Sequence, residues 1–147
     1  MAVRAVIDTN IWVSSFLNPS GSPAKLRKAF AEGVFHAVIS EAIIEEIADV
    51  LNRPKIKDKY GISESDIREL LVLIEERADH VLLSGDVTIC SDKDDDLIME
   101  TAVKGKADYL VTGDNDIKLS PDVLAFLLNH GVTVVTAAAF LRKVTSN

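Results

Sequence analysis

Val3-Arg4-Ala5-Val6-Ile7-Asp8-Thr9-Asn10 decides the fold. A short apolar run over Val3–Asp8 reads as a buried strand, and it stops on an acid followed by two small polar residues. The pattern returns late in the chain. Tyr109–Thr112 is a strand that ends in the Gly113 turn, with Asp114 and Asp116 directly after it. Between and beyond these two strands the signals alternate. Helices are expected at Asn10–Phe16, after a Ser22 cap up to Gly33, after a Ser40 cap up to Pro54, and at Glu64–Ala78 behind Ser63. Further helices are expected at Asp95–Lys104, closed by Gly105, between Ser120-Pro121 and Gly131, and after Thr136. His36–Ile39, Val81–Leu83 and Val132–Val135 supply the other strands. Strands separated by helices pair in parallel and carry helices on both sheet faces, an α/β class. Ligands of such sheets bind beyond the carboxyl ends of the strands, where Asp8 and Asp114 both fall.

Two helices bring further acids. In the helix after Ser40, Ile43, Ile44, Ile47, Val50 and Leu51 share one face at 3.6 residues per turn. Glu45 lies opposite that face and is the solvated residue, whereas Glu46 flanks it and can lean towards a pocket beside the first strand. The run Asp92-Lys93-Asp94-Asp95-Asp96 opens another helix. Acids are favoured at a helix start, so a cap explains some of them, and Asp94 can be that cap. Helix phase puts Asp95 near the middle of the stripe made by Leu97, Ile98, Met99, Ala102 and Val103, with Asp96 towards the opposite side. A carboxylate aimed at the interior needs a partner, and a metal ion is one. Oxygen ligands without histidine or cysteine favour Mg²⁺ or Mn²⁺ over Zn²⁺. One or two such ions can activate a water and stabilise an in-line phosphoryl displacement.

Composition bounds the rest. The 147 residues suit one domain over 1–147, and 48% hydrophobic residues give a packed interior. No apolar run approaches the roughly 20 residues of a membrane span. The strand pattern begins within a few residues of Met1, so no signal peptide is expected. Cys90 is the sole cysteine, which excludes an internal disulfide and fits a soluble, cytoplasmic protein. The net charge of −7 argues against strong non-specific binding to nucleic acid, but not against an acidic site that holds cations. His36, His80 and His130 match no ligand spacing. Trp12 is read as core rather than as a stacking platform. Arg53, Lys55, Lys57 and Lys59 form either a solvated loop or the best phosphate contact.

The ordered set of motifs resembles the PIN-domain family over nearly the whole chain. It comprises Val6-Ile7-Asp8-Thr9-Asn10, then Ser40 with Glu46-Ile47, Val50-Leu51 and Arg53-Pro54-Lys55. It continues with Asp92, Asp94-Asp95-Asp96 and Ala102, and with Ala107-Asp108-Tyr109-Leu110-Val111-Thr112-Gly113-Asp114-Asn115-Asp116. It looks closest to the prokaryotic branch of toxin components of toxin–antitoxin pairs, relatives of the VapC toxins. The resemblance implies a three-layer α/β/α sandwich with a central, mainly parallel sheet. It also implies an endoribonuclease that cleaves single-stranded RNA with Mg²⁺ or Mn²⁺. Asp8, Glu46, Asp95 and Asp114 would then be the catalytic, metal-holding acids, with Asp116 an accessory ligand. Thr9, Asn10 and Thr112 would be polar support. Asp96 stays with them, because the Asp94-Asp95-Asp96 triple leaves the third acid ambiguous by one residue. Family members commonly form homodimers, and toxins of this kind are neutralised by an antitoxin protein. No membrane partner is implied.

Other readings compete with this one. A non-catalytic PIN module binding RNA or protein is the main alternative. A haloacid-dehalogenase-type phosphatase needs a second Asp where this chain has Asn10. A response-regulator receiver needs an acid paired beside Asp8, which is missing.

Overall fold

Arg4–Ile7 forms β1, and its Ala5, Val6 and Ile7 are wholly buried, as a strand covered on both sheet faces must be. In the computed structural model, which describes residues 2–90 and 93–145 except the side chain of Asp116, β1 is the centre of a five-stranded sheet. The other strands are β2 (His36–Ser40), β3 (Asp79–Val81), β4 (Tyr109–Val111) and β5 (Thr133–Val135). Their order is β3-β2-β1-β4-β5, and every neighbouring pair is parallel. The chain builds outward from β1 on one side, then crosses to build outward on the other. The reversal lies between β1 and β4, and a crevice opens at the carboxyl ends of such a pair.

The connections are helical and give a three-layer α/β/α arrangement. They are α1 (Thr9–Ser14), α2 (Ser22–Ala31), α3 (Glu41–Leu51), α4 (Pro54–Lys57), α5 (Glu64–Arg77), α6 (Lys93–Lys104), α7 (Asn115–Lys118), α8 (Pro121–Asn129) and α9 (Ala137–Thr145). Ser63 and Asp66 close a reciprocal capping box on α5, and the Ser120 hydroxyl caps α8. Trp12, Phe30, Phe35 and Phe140 run through the core as successive ring contacts, with centroids 5.4, 5.9 and 5.0 Å apart. Trp12 therefore belongs to packing and is only 1% exposed. Gly105, just past α6, lies so close to Val38 and the Thr101 carbonyl that any Cβ would collide with them, with Val81 also tight, so this glycine sets how tightly α6 seats on the sheet. Among the described residues, no helix is long and apolar enough to cross a membrane.

Four local details differ from the sequence reading. Gly21, not Ser22, is the N-cap of α2, because Ser22 already has helical geometry ahead of Pro23. β3 lies two residues earlier than Val81–Leu83: Asp79 pairs with the Arg4 guanidinium, and Leu82 is 93% exposed. The basic stretch after α3 is not an open loop but the short helix α4, started by Pro54. A further turn of helix, α7, begins within the second acidic motif, directly after Asp114.

Candidate functional site

The backbone fixes Asp8 before its side chain acts. Its amide donates to the Val111 carbonyl at 3.0 Å, extending the β1–β4 ladder by one residue. Its carbonyl accepts from the Ile11 and Trp12 amides at 2.9 and 3.3 Å, which starts α1. Asp8 thus ends a strand and caps a helix at once, and its side chain is only 4% exposed.

Thr112 couples the two strand ends. Its hydroxyl donates to Asp8 Oδ2 at 2.7 Å and accepts from the Asp114 amide at 3.0 Å. One fully buried hydroxyl therefore orients the first acid and the loop that carries the second. Burial pushes the Asp8 carboxyl above its ordinary value; the Thr112 hydrogen bond works against this, and the nearby Asp114 charge adds to it. The Thr9 hydroxyl beside Asp8 is buried without a hydrogen-bond partner among the described residues.

Above these strand ends lies a cavity of about 480 Å³. Asp8 and Asn10 line it from the end of β1 and the start of α1, and Asp114 lines it from beyond β4. Glu46, Asp49 and Val50 come from α3, Arg53 from just after it, and Asp94, Asp95 and Ile98 from α6. Of the acids expected from the sequence, Asp8, Glu46, Asp95 and Asp114 all border this one space. Glu45 is exposed on the far side of α3. Asp94 sits in the first turn of α6 and borders the cavity, instead of capping the helix. Thr112 lies beneath the cavity floor, through its bond to Asp8. Asp92 and the side chain of Asp116 lie outside the described residues. Lys55 and Lys57 do not border the cavity, and Lys57 pairs with Glu64 at 3.1 Å.

Asp96 departs from the helix-phase argument. It is not on a solvated side of α6 but 7% exposed, and its Oδ1 accepts from the Ile89 and Cys90 amides at 2.9 and 2.7 Å. The buried arc of α6 is wider than the apolar stripe because the segment after β3 folds over it. Glu100, which the sequence reading passed over, is the second such group. It accepts from the Ser84 and Gly85 amides at 2.6 and 3.0 Å and pairs with Lys104 at 2.8 Å. Asp49 was also missed, although its place one helical turn after Glu46 was available as a signal. Burial, with Asp96 beside it, pushes the Cys90 thiol up to about 12, which disfavours the thiolate.

Among the described residues, no three His, Cys, Asp or Glu side chains already stand in an arrangement that could hold a metal ion. The chemistry of the lining still fits a hard divalent cation. Asp8, Glu46, Asp49, Asp94, Asp95 and Asp114 offer carboxylate oxygens, and no imidazole or thiol borders the cavity. Burial first, and the Asp114 charge after it, raise the pKa of Asp8, and a bound cation would favour the charged form of this acid.

Comparison with known proteins agrees with this geometry. The PIN domain family matches residues 4–116, from the start of β1 into α7, which takes in every acid that lines the cavity. A protein of Methanocaldococcus jannaschii, the uncharacterized protein MJ1680, is 30% identical over 115 residues, covering 78% of this chain and 73% of that one. The chain belongs to the PIN-domain family.

Proposed function

We propose that this chain is a Mg²⁺- or Mn²⁺-dependent endoribonuclease that hydrolyses phosphodiester bonds in single-stranded RNA in the cytoplasm. PIN domains are generally nucleases that use divalent metal ions. The observation that carries the finer reading is the meeting of Asp8, Glu46, Asp95 and Asp114, from four separate parts of the chain, around one cavity at the β1/β4 switch. These four acids would hold the cation, with Asp116 as an accessory ligand. When bound, such an ion supplies an activated water and neutralises charge on the reacting phosphodiester.

The chain's own groups do the rest. Thr112 keeps Asp8 in one rotamer and favours its charged form. The same hydroxyl accepts from the Asp114 amide, so one side chain ties the first acid to the backbone of the second. Asn10, exposed at the cavity mouth, is placed to donate to a phosphate oxygen. Val50 and Ile98 give the cavity an apolar wall, which strengthens the electrostatics inside it. The test is cleavage of end-labelled single-stranded RNA with Mn²⁺. Equal rates for wild type and Asp8→Asn would remove the assignment.

A second reading is a non-catalytic module that binds RNA or protein. Calorimetric titration separates the two, since the nuclease must bind Mg²⁺ or Mn²⁺ in the millimolar range and the module need not. Membership of the family also motivates a biological setting as a toxin held by an antitoxin, and a homodimer. A small upstream reading frame for a DNA-binding protein, and copurification with its product, would support the first. Sedimentation at micromolar concentration tests the second.

A further inference from the structure

Resting on the nuclease reading, we infer that Arg53 is the residue that receives a backbone phosphate of the RNA, and that Asp49 is the counter-ion it gives up to do so. A polyanion entering this cavity meets six carboxylates. Among the described residues that line it, Arg53 is the one cationic side chain. Its place is set by the chain. Pro54 restricts the residue before it to extended backbone, and Arg53 has φ −67° and ψ 131°. Its amide donates to the Val50 carbonyl at 3.2 Å, and its carbonyl accepts from Ile56 and Lys57 at 2.9 and 2.8 Å. The guanidinium therefore leaves from a fixed point between the end of α3 and the start of α4.

The present partner of the guanidinium is weak. Arg53 Nη2 meets Asp49 Oδ2 at 2.9 Å, but the two side chains are 60% and 68% exposed. Exposed pairs one helical turn apart are screened and contribute little. A phosphate offers the planar guanidinium two oxygens in the geometry it matches best. Exchange of Asp49 for phosphate thus gains a better acceptor at small loss. Lys55 and Lys57 are not equivalent, since neither borders the cavity. Arg53 fixes where the backbone enters; the acids act on the neighbouring phosphodiester.

The experiment compares Arg53→Gln, Arg53→Lys and Asp49→Asn with Lys25→Gln, a matched charge loss at an exposed site on α2. Anisotropy of a fluorescent single-stranded RNA is read in EDTA over a salt series, and kcat and KM are read in Mn²⁺. Arg53→Gln is expected to raise KM about tenfold, as loss of a charge-assisted hydrogen bond does, with kcat little changed. Its salt slope should fall by about 1 relative to wild type. Arg53→Lys should lie between, and Asp49→Asn should bind RNA roughly two- to fivefold more tightly at low salt. Arg53→Gln indistinguishable from Lys25→Gln, a loss confined to kcat, or no tightening in Asp49→Asn would overturn the inference while cleavage by wild type keeps the nuclease reading. A wild type that neither binds nor cuts RNA overturns both.

Discussion

Thr112→Val removes one hydroxyl and keeps the side chain's shape, so it isolates the bridge between the two strand ends. The hydroxyl donates at 2.7 Å to a carboxylate oxygen of a residue only 4% exposed. A hydrogen bond to a buried charge is worth about 1.5–3 kcal/mol. The bond it accepts from the Asp114 amide, at 3.0 Å, is a neutral one worth about 1 kcal/mol. Valine favours strand ends and returns a few tenths, so the net loss in alkaline buffer should be about 2–3 kcal/mol. For a chain of this length that lowers the melting temperature by roughly 4–12 °C. The pH dependence is the sharper signature. Burial holds the Asp8 carboxyl above its ordinary value of 3.8, and the Thr112 bond pulls it back down. Without that bond the folded-state pKa rises further, while the unfolded value is unchanged. The mutational loss is therefore full when Asp8 is charged in both proteins. It shrinks as pH falls through the interval between the two folded values, both above 3.8, and leaves only the Asp114 amide term. Urea titrations of EDTA-treated protein across a pH series measure this, with an unchanged m-value as the check on two-state behaviour. A loss below about 0.5 kcal/mol, or one of the same size at every pH, would refute the reasoning.

Asp8→Asn should raise stability at neutral pH in EDTA, because a raised carboxyl pKa is a penalty present above that pKa and absent once the group is protonated; calorimetry should show the gain fading on acidification. Added Mn²⁺ should raise the melting temperature of wild type more than that of this variant. Glu100→Gln should cost about 1–3 kcal/mol by weakening the Ser84, Gly85 and Lys104 contacts. Burial opposes ionisation of Glu100, yet Lys104 and the two amides hold its pKa below the ordinary 4.5. That stability is present above 4.5 and is lost as pH falls through the lowered value, which chemical denaturation in acetate buffers would show. Gly105→Ala should destabilise by about 1–3 kcal/mol through overpacking against Val38 and the Thr101 carbonyl; a neutral result in urea titration would mean α6 is not seated as described. Asp95→Asn should reduce RNA cleavage with little change in melting temperature, and Asp96→Asn should lower the melting temperature first; the reverse pattern would exchange their roles.

Much of this arrangement was legible because it is local or periodic. Buried parallel strands are apolar throughout, and Arg4–Ile7 and Tyr109–Val111 could be found as such. The placement of Asp8 and Asp114 on one edge follows from topology, although 104 residues separate Asp8 even from Thr112. Glu46 followed from helix phase, because α3 packs one face inward and leaves Glu45 outside. Short elements were less visible. α4 and α7 are four residues each, too few for a period to register, and β3 is fixed as much by the Arg4–Asp79 pair as by its own residues. The capping of α2 by Gly21 depends on backbone angles, not on a side-chain oxygen that a sequence displays.

Asp96 shows why helix phase alone could not separate the acids of α6. Phase gives direction, but function follows from what waits in that direction. Asp95 and Asp96 are both drawn inward, one to the cavity border and one beneath the segment that follows β3. There the Ile89 and Cys90 amides supply donors, so the Asp96 carboxylate is satisfied by the protein and needs no cation. Glu100 is satisfied in the same way one turn later by Ser84 and Gly85. Two carboxylates thus tie residues 84–90 down onto α6. The helix that presents Asp94 and Asp95 to the cavity is thereby tied to the segment that covers its other side. Asp8 is the converse case. Its exposure of 4% lies between those of Glu100 and Asp96, and it too takes backbone hydrogen bonds, from Thr9 and Asn10, besides the Thr112 hydroxyl; yet burial, with Asp114 nearby, keeps its pKa raised. A buried carboxylate whose donors come from a segment it ties down reads as structure, and one at a cavity edge whose pKa stays raised beside a like charge reads as a candidate place for an ion.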